Sequence, residues 1–270
     1  MSFSISGKTA IVTGAANGIG LAIARHFAAQ GANVMLADMD ETRLTEEIEQ
    51  LGGDEDGNVR CFAGDLRKKL TQANLLSATI DAFDRVDILV NASRQVLKTD
   101  PLNLEDDSLK CLLEQNLTTG YRLSQTIAKK MISQAKKSKT NDGPAGTIIN
   151  ISSIASQRIH PDLLAYSVSI AALNQLTRTL AVALAPHHIR VNSVAFGSMM
   201  SASLRTALAD QDGARDEIIA RTPLARIAGP SEIVETVQYL ASGASGFLTG
   251  QIITADGGRT LVDAVETAAH

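Results

Sequence analysis

Short apolar runs alternate with longer stretches of helical spacing along almost the whole chain. Residues 9–13, 33–37, 59–63, 87–90, 146–151, 190–194 and 251–254 read as strands. Residues 18–30, 41–51, 163–185 and 231–241 read as helices, with further helices inside 70–83 and 104–132. Strict alternation of this kind predicts parallel strands joined by crossover helices, because parallel neighbours need long connections. Ile88-Leu89-Val90 and Ile148-Ile149 suit strands covered on both faces, where no polar alternation is needed. The expected architecture is α/β, a doubly wound parallel sheet of Rossmann type in a single domain over 1–270. Residues 198–223 carry only patchy helical pattern and read as a small helical lid. Turn-rich 52–57 and 138–146 lie between elements of one sheet and do not divide the chain.

Composition narrows the function classes. Hydrophobic residues make up 44% and charged residues 20% of 270, as expected of a globular protein with a sizeable core. A net charge of −4 gives no electrostatic footprint for nucleic acid, and Lys136, Lys137 and Lys139 read as a solvated loop. The two cysteines, Cys61 and Cys111, have no ligand-type spacing, so neither a metal site nor a disulfide framework is expected. The opening Met1-Ser2-Phe3-Ser4-Ile5-Ser6 lacks the pattern of a signal peptide, and no uninterrupted apolar run reaches membrane-spanning length. A cytoplasmic location with no membrane partner is the expectation.

The strongest chemical signal follows the first strand, in Thr13-Gly14-Ala15-Ala16-Asn17-Gly18-Ile19-Gly20. A turn this tight needs residues without Cβ where φ is positive or a ligand comes close. The helix behind it offers unpaired N–H groups and a positive dipole end to a pyrophosphate. Position between strand and helix separates a dinucleotide turn from a merely structural glycine turn. Asp38 ends the second strand, where a carboxylate accepts hydrogen bonds from both hydroxyls of an adenosine ribose. It also repels a 2′-phosphate, and the glycine turn holds no Arg or Lys to offset that, so NAD is expected over NADP.

From about Ser6 to Gly258 the chain resembles the short-chain dehydrogenase/reductase family. Besides Gly14, Asn17, Gly18, Ile19, Gly20 and Asp38, the matching residues include Asp65-Leu66, Asn91-Ala92 and Asn116. Ile149-Asn150-Ile151-Ser152-Ser153 matches as well, with Tyr166 thirteen residues after Ser153, and so do Leu248-Thr249-Gly250 and Asp256-Gly257-Gly258. The resemblance implies hydride transfer between a nicotinamide carbon and a secondary alcohol or ketone. Tyr166 would then be the acid/base, Ser153 the hydrogen-bond partner of the substrate oxygen and Asn116 the holder of an ordered water. Asp65 and Leu66 would meet the adenine; Asn91, Ala92, Tyr166 and Gly197 would complete the cofactor site.

The pattern breaks on one side. The family carries a lysine four residues after the tyrosine, on the same helix face; here that residue is Ile170. An unperturbed tyrosine is only about 0.1% phenolate at neutral pH, and an apolar neighbour supplies no charge to change this. The missing assistance corresponds to roughly 3–4 kcal/mol, several hundredfold in rate if nothing compensates. Ser93 stands where the family has Gly and Phe196 where it has Pro, and Met199 and Ser201 fall where the loop would approach the carboxamide. By sequence location Arg94, Arg158 and His160 could replace the missing cation, and Arg94 would bring its guanidinium close to the cofactor; Arg158 reads instead as solvated and His160 as lining the substrate mouth before Pro161.

Two function classes remain: an NAD(H)-dependent oxidoreductase with altered or impaired catalysis, and a non-catalytic NAD-binding protein, either a redox sensor or a silent subunit. The resemblance implies a homodimer or homotetramer through the long helices, where Ala171, Ala172, Ala181 and Ala185 permit close approach. Substrate would be read by 94–101, 156–162 and 198–222, which vary too freely in type to name it. A titration followed by nucleotide fluorescence is expected to give micromolar or tighter binding of NADH and much weaker binding of NADPH. Equal binding of the two would remove the role given to Asp38.

Overall fold

The computed structural model describes residues 2–51, 57–137, 143–200, 202–209 and 213–263; Lys139 and Ser201 lie outside them, as do 52–56 and 138–142 of the turn-rich stretches. Seven strands form one parallel sheet in the order β3-β2-β1-β4-β5-β6-β7. They are β1 (Thr9–Thr13), β2 (Asn33–Asp38), β3 (Val59–Ala63), β4 (Ile88–Asn91), β5 (Gly146–Ser153), β6 (Ile189–Phe196) and β7 (Ile252–Ala255). The crossover helices are α1 (Gly18–Ala29), α2 (Glu41–Gln50), α3 (Lys69–Phe83), α4 (Ser108–Leu113), α5 (Thr119–Lys137) and α6 (Leu164–Leu184). Beyond β6 come α7 (Ala202–Ala209), α8 (Ala214–Ala220) and α9 (Ser231–Ala241). The doubly wound parallel sheet is the expected one, and α7 and α8 fall in the stretch read as a lid.

Side-chain alternation along the strands makes two cores, one on each face. Val12, Leu36 and Val90 face α1, α2 and α9, with Phe27 and Leu44 buried among them. Ile11, Met35 and Leu89 face α3, α5 and α6 across Leu75, Leu123 and Ile127. The expected strands β5 and β6 run further than the pattern suggested. Ser152 and Ser153 continue the ladder opposite Ala195 and Phe196, because backbone pairing does not need apolar side chains.

The long helix expected within 104–132 differs most from its pattern. It begins only at Ser108, because Asp106 accepts the Ser108 N–H at 2.7 Å and Asn103 that of Glu105, turns that compete with helix. Leu102 and Leu104 are exposed in this loop. Between α4 and α5 the chain then makes one wide π-turn, Glu114–Thr118. One extra residue in that turn points Asn116 inward. Pro161–His187, α6 with its flanking turns, is long and apolar enough to cross a membrane by length and composition. It packs along β6, with Ala165, Ile170, Leu173 and Ala181 buried, as a core helix does.

At the switch point β1 and β4 lie side by side while their connections leave in opposite directions, which opens a crevice beyond their C-terminal ends. A Cβ at Gly20 would sit 2.1 Å from the Gly14 carbonyl oxygen, so the first turn of α1 closes on the loop only with glycine there. Gly20→Ala is expected to lower stability by about 1–3 kcal/mol, the usual penalty of overpacking, read from the urea midpoint. An unchanged midpoint would mean that the turn does not need this contact.

Candidate active site

Two hydrogen bonds fix the crevice. Thr13 Oγ1, at the end of β1, accepts the N–H groups of Ala92 (3.0 Å) and Ser93 (3.1 Å), just past β4. Gly14 can lie against that loop only without a side chain: its φ is +67°, and a Cβ would be 2.8 Å from Ser93 N and Cα. Gly18, at φ +57°, has nothing within 4 Å of a Cβ and faces open space. Asn17 caps α1 without a side-chain bond, and no acidic residue stands in the first turn, so the helix N–H groups there compete with no carboxylate.

A groove of about 660 Å³ starts from this turn. Gly14, Asn17, Gly18, Ile19 and Gly20 line one wall; Asp38, Asp65, Leu66 and Ala92 line the other. Asp38 is held at the end of β2 by the N–H groups of Ala16 (3.1 Å), Met39 (2.7 Å) and Asp40 (3.2 Å). Asp65 pairs with Arg67 at 2.8 Å, and that guanidinium holds its carboxyl below the usual carboxylate range, so it is ionised at neutral pH. The groove ends at Arg94, Gln95 and Val96. These residues fit an adenosine diphosphate: a carboxylate for ribose hydroxyls, and close backbone with a helix dipole for phosphates.

Two residues expected at the cofactor do not line this groove. The Asn91 side chain turns away from the groove, its amide donating to Ser124 Oγ (3.1 Å) and Asn150 Oδ1 (2.9 Å). Gly197 lies against Asp256, where a Cβ would come within 3.0 Å of the aspartate Cβ. That aspartate caps the N–H groups of Gly258 and Thr260, which accounts for Asp256-Gly257-Gly258 as a structural turn. Met199 is buried and lines a separate cavity of about 220 Å³ with Thr222 and Asp256.

Ser153 and Tyr166 come to the same edge of the sheet. Ser153 ends β5, its Oγ accepting the Ala155 N–H at 3.2 Å. Ala155 shares a buried cluster with Tyr166, Ile170 and Leu173 in the first turns of α6. Ile170 is wholly buried and beside it lies a cavity of about 20 Å³, large enough for one water, which Asn91, Arg94 and Asn116 also line. Among the described residues, Asn91 Oδ1 has no hydrogen-bond partner.

Of the three candidate cations, Arg94 is the one that reaches the phenol: it donates from Nη1 to Tyr166 Oη at 2.7 Å, and its guanidinium carbon lies 4.3 Å from the centroid of the Phe196 ring. A guanidinium flat on an aromatic face gains cation–π attraction, worth about 0.5–2 kcal/mol. Phe196 and the side chain beyond Ser93 thus belong to one contact, which sets a fixed charge on the phenol while Ile170 supplies none. Arg158 behaves differently, bonding the carbonyls of Thr260 and Val262, and His160 accepts the Asp162 N–H in an exposed turn.

The Asn116 side chain is engaged with protein groups. Its Oδ1 accepts the Gln95 N–H (2.8 Å), and its Nδ2 donates to the Gln95 carbonyl (2.9 Å) and to Ser169 Oγ (3.0 Å). Ser169 in turn donates to the Tyr166 carbonyl at 2.8 Å. One side chain therefore clamps the peptide after Arg94 to the helix turn that carries Tyr166. Sequence spacing had no means of finding Gln95, whose part is played by its backbone.

The family model described as Enoyl-(Acyl carrier protein) reductase matches residues 14–260. The chain is 31% identical to the 7alpha-hydroxysteroid dehydrogenase of Escherichia coli (strain K12), over 94% of each. It is 32% identical to a short chain dehydrogenase/reductase of Aspergillus oryzae, over 96% of this chain and 97% of that one. Among solved structures, a 7 alpha-hydroxysteroid dehydrogenase complexed with NADH and 7-oxo glycochenodeoxycholic acid superposes with a TM-score of 0.84 at 29% identity, covering 95% of each chain. A putative gluconate dehydrogenase from Agrobacterium tumefaciens gives 0.87 at 28%, covering 97% of this chain and 99% of that one.

Replacing Asn116 by Ala would leave both polar groups of the Gln95 peptide and the Ser169 hydroxyl without their partner. A loss of about 2–3 kcal/mol is expected from such buried groups, measured by urea unfolding. A loss below half a kcal/mol, roughly the level of an ordinary surface change, would mean that the clamp is not formed.

Proposed function

The chain belongs to the short-chain dehydrogenase/reductase family, and from that premise we propose that it is an NAD(H)-dependent oxidoreductase acting on a secondary alcohol or ketone, with slow, altered catalysis. When bound, the cofactor supplies or accepts a hydride at its nicotinamide ring. Tyr166 gives a proton to, or takes one from, the substrate oxygen, which the Ser153 hydroxyl also holds. Gly14, Gly18 and Asp38 carry the adenosine half, with Asp38 selecting NAD over NADP.

One observation supports catalysis above all: the 2.7 Å bond from Arg94 to the Tyr166 phenol. A reduction leaves negative charge on that oxygen as its proton moves to substrate, and a charged donor in contact with it stabilises the charge. Without Arg94, Ile170 would leave the phenol in an apolar site with no cation. The same residue explains why turnover is slow, because its guanidinium stands over Phe196 beside the phenol. That second contact also favours a non-catalytic nucleotide-binding role as the alternative reading.

Exposed Val168 and Val182 on α6 and Tyr121 on α5 support self-association into a dimer or tetramer through these helices. Two free cysteines suit a reducing, cytoplasmic setting.

The test is turnover of NADH with a panel of ketones by the purified protein, repeated with Tyr166→Phe. Slow turnover that falls about a hundredfold or more in the variant, with NADH affinity little changed, is expected. Tight NADH binding with no turnover on any ketone would give the alternative reading the field.

A further inference from the structure

Hydride transfer places strict demands on space around Tyr166. The substrate carbon is bonded to the oxygen that the phenol holds, and the two carbons exchanging hydride must approach to roughly 3–3.5 Å. A nicotinamide ring in use therefore lies immediately beside Tyr166 Oη. That place holds the Arg94 guanidinium, a planar cation resting on the Phe196 ring at 4.3 Å and bonded to the phenol. The groove reflects this: it reaches from Asp38 to Arg94, Gln95 and Val96, and neither Tyr166 nor Ser153 lines it. Arg94 is not loosely held, since Asn116 fixes the next peptide on both its N–H and its carbonyl. Only one guanidinium N–H is committed to Tyr166 among the described residues. The other donors stand at the closed end of the groove, suited to phosphate or ribose oxygens.

We infer that this groove is a binding site for adenosine diphosphate ligands ending in a ribose without nicotinamide, of which ADP-ribose is the simplest, and that it takes them at least as tightly as NADH. The inference rests on the nucleotide reading of the groove proposed above and adds a ligand class to it. NADH must displace the guanidinium from Phe196 before its ring can enter, whereas ADP-ribose fills the groove with Arg94 in place and gains its spare donors. Cation–π and charge-assisted contacts of this kind set the handicap of NADH at about 10- to 100-fold.

Calorimetric titration of the purified protein with ADP-ribose and with NADH tests this, followed by the same pair on Arg94→Ala and Phe196→Leu. Wild type should bind ADP-ribose with equal or higher affinity than NADH. Arg94→Ala should tighten NADH by about 10-fold or more and weaken ADP-ribose, reversing the order. Phe196→Leu, which removes only the ring platform, should tighten NADH in the same direction. Wild type binding NADH more tightly than ADP-ribose would overturn the inference and leave the oxidoreductase reading standing. So would an affinity ratio that neither variant changes. Failure of both ligands to bind wild type would overturn the nucleotide reading itself, and this inference with it.

Discussion

Parallel pairing of β1 with β2 on one side and β4 on the other is the constraint from which the site follows. Every strand then ends at the same edge, and the connections after β1 and β4 must leave on opposite faces. Glycine at 14 and 20 lets the first of these connections close tightly, while Thr13 ties the second to it through two backbone N–H groups. The open groove and the aspartate beside its glycine turn take their positions from that junction. The loop after β4, residues 92–107, carries Arg94.

Within this frame the cation on the phenol comes from the loop after β4. Ile170 on α6 is packed with Leu173 and Ala155 in an apolar cluster. The charge is carried by Arg94, whose following residue Gln95 is clamped through Asn116 to the turn bearing Tyr166. One guanidinium thereby serves two neighbours with different consequences. Its bond to the phenol oxygen keeps a positive group on that atom, and its contact with Phe196 fills the space over the ring.

Most of the fold was legible because parallel strands and amphipathic helices are set by local pattern. Strand β1 and helix α9 have the bounds that alternation alone suggested, and the glycine turn and Asp38 stand at opposite walls of one groove. What could not be read depended on contacts distant in the chain or on single polar side chains. The sequence offers Arg94 as one of three candidate cations, but it lies 72 residues from Tyr166, and only the fold singles it out as the one bonded to the phenol. The delayed start of α4 came from Asn103 and Asp106 capturing backbone N–H groups, and the inward turn of Asn116 from a π-turn that leaves the apolar spacing nearly unaltered. Asn91 and Gly197 match the family's cofactor positions in type, yet here one supports neighbouring strand and helix side chains and the other makes room for Asp256.

The most direct measurement is a pair of crystal structures, one grown with ADP-ribose and one with NADH. The account predicts Arg94 on the Phe196 ring and bonded to Tyr166 with ADP-ribose in the groove. With NADH it predicts the guanidinium driven off the ring, whether or not the nicotinamide is well ordered. A nicotinamide seated beside Tyr166 while Arg94 keeps its place on Phe196 would contradict it, and so would an ADP-ribose complex in which Arg94 has left the phenol.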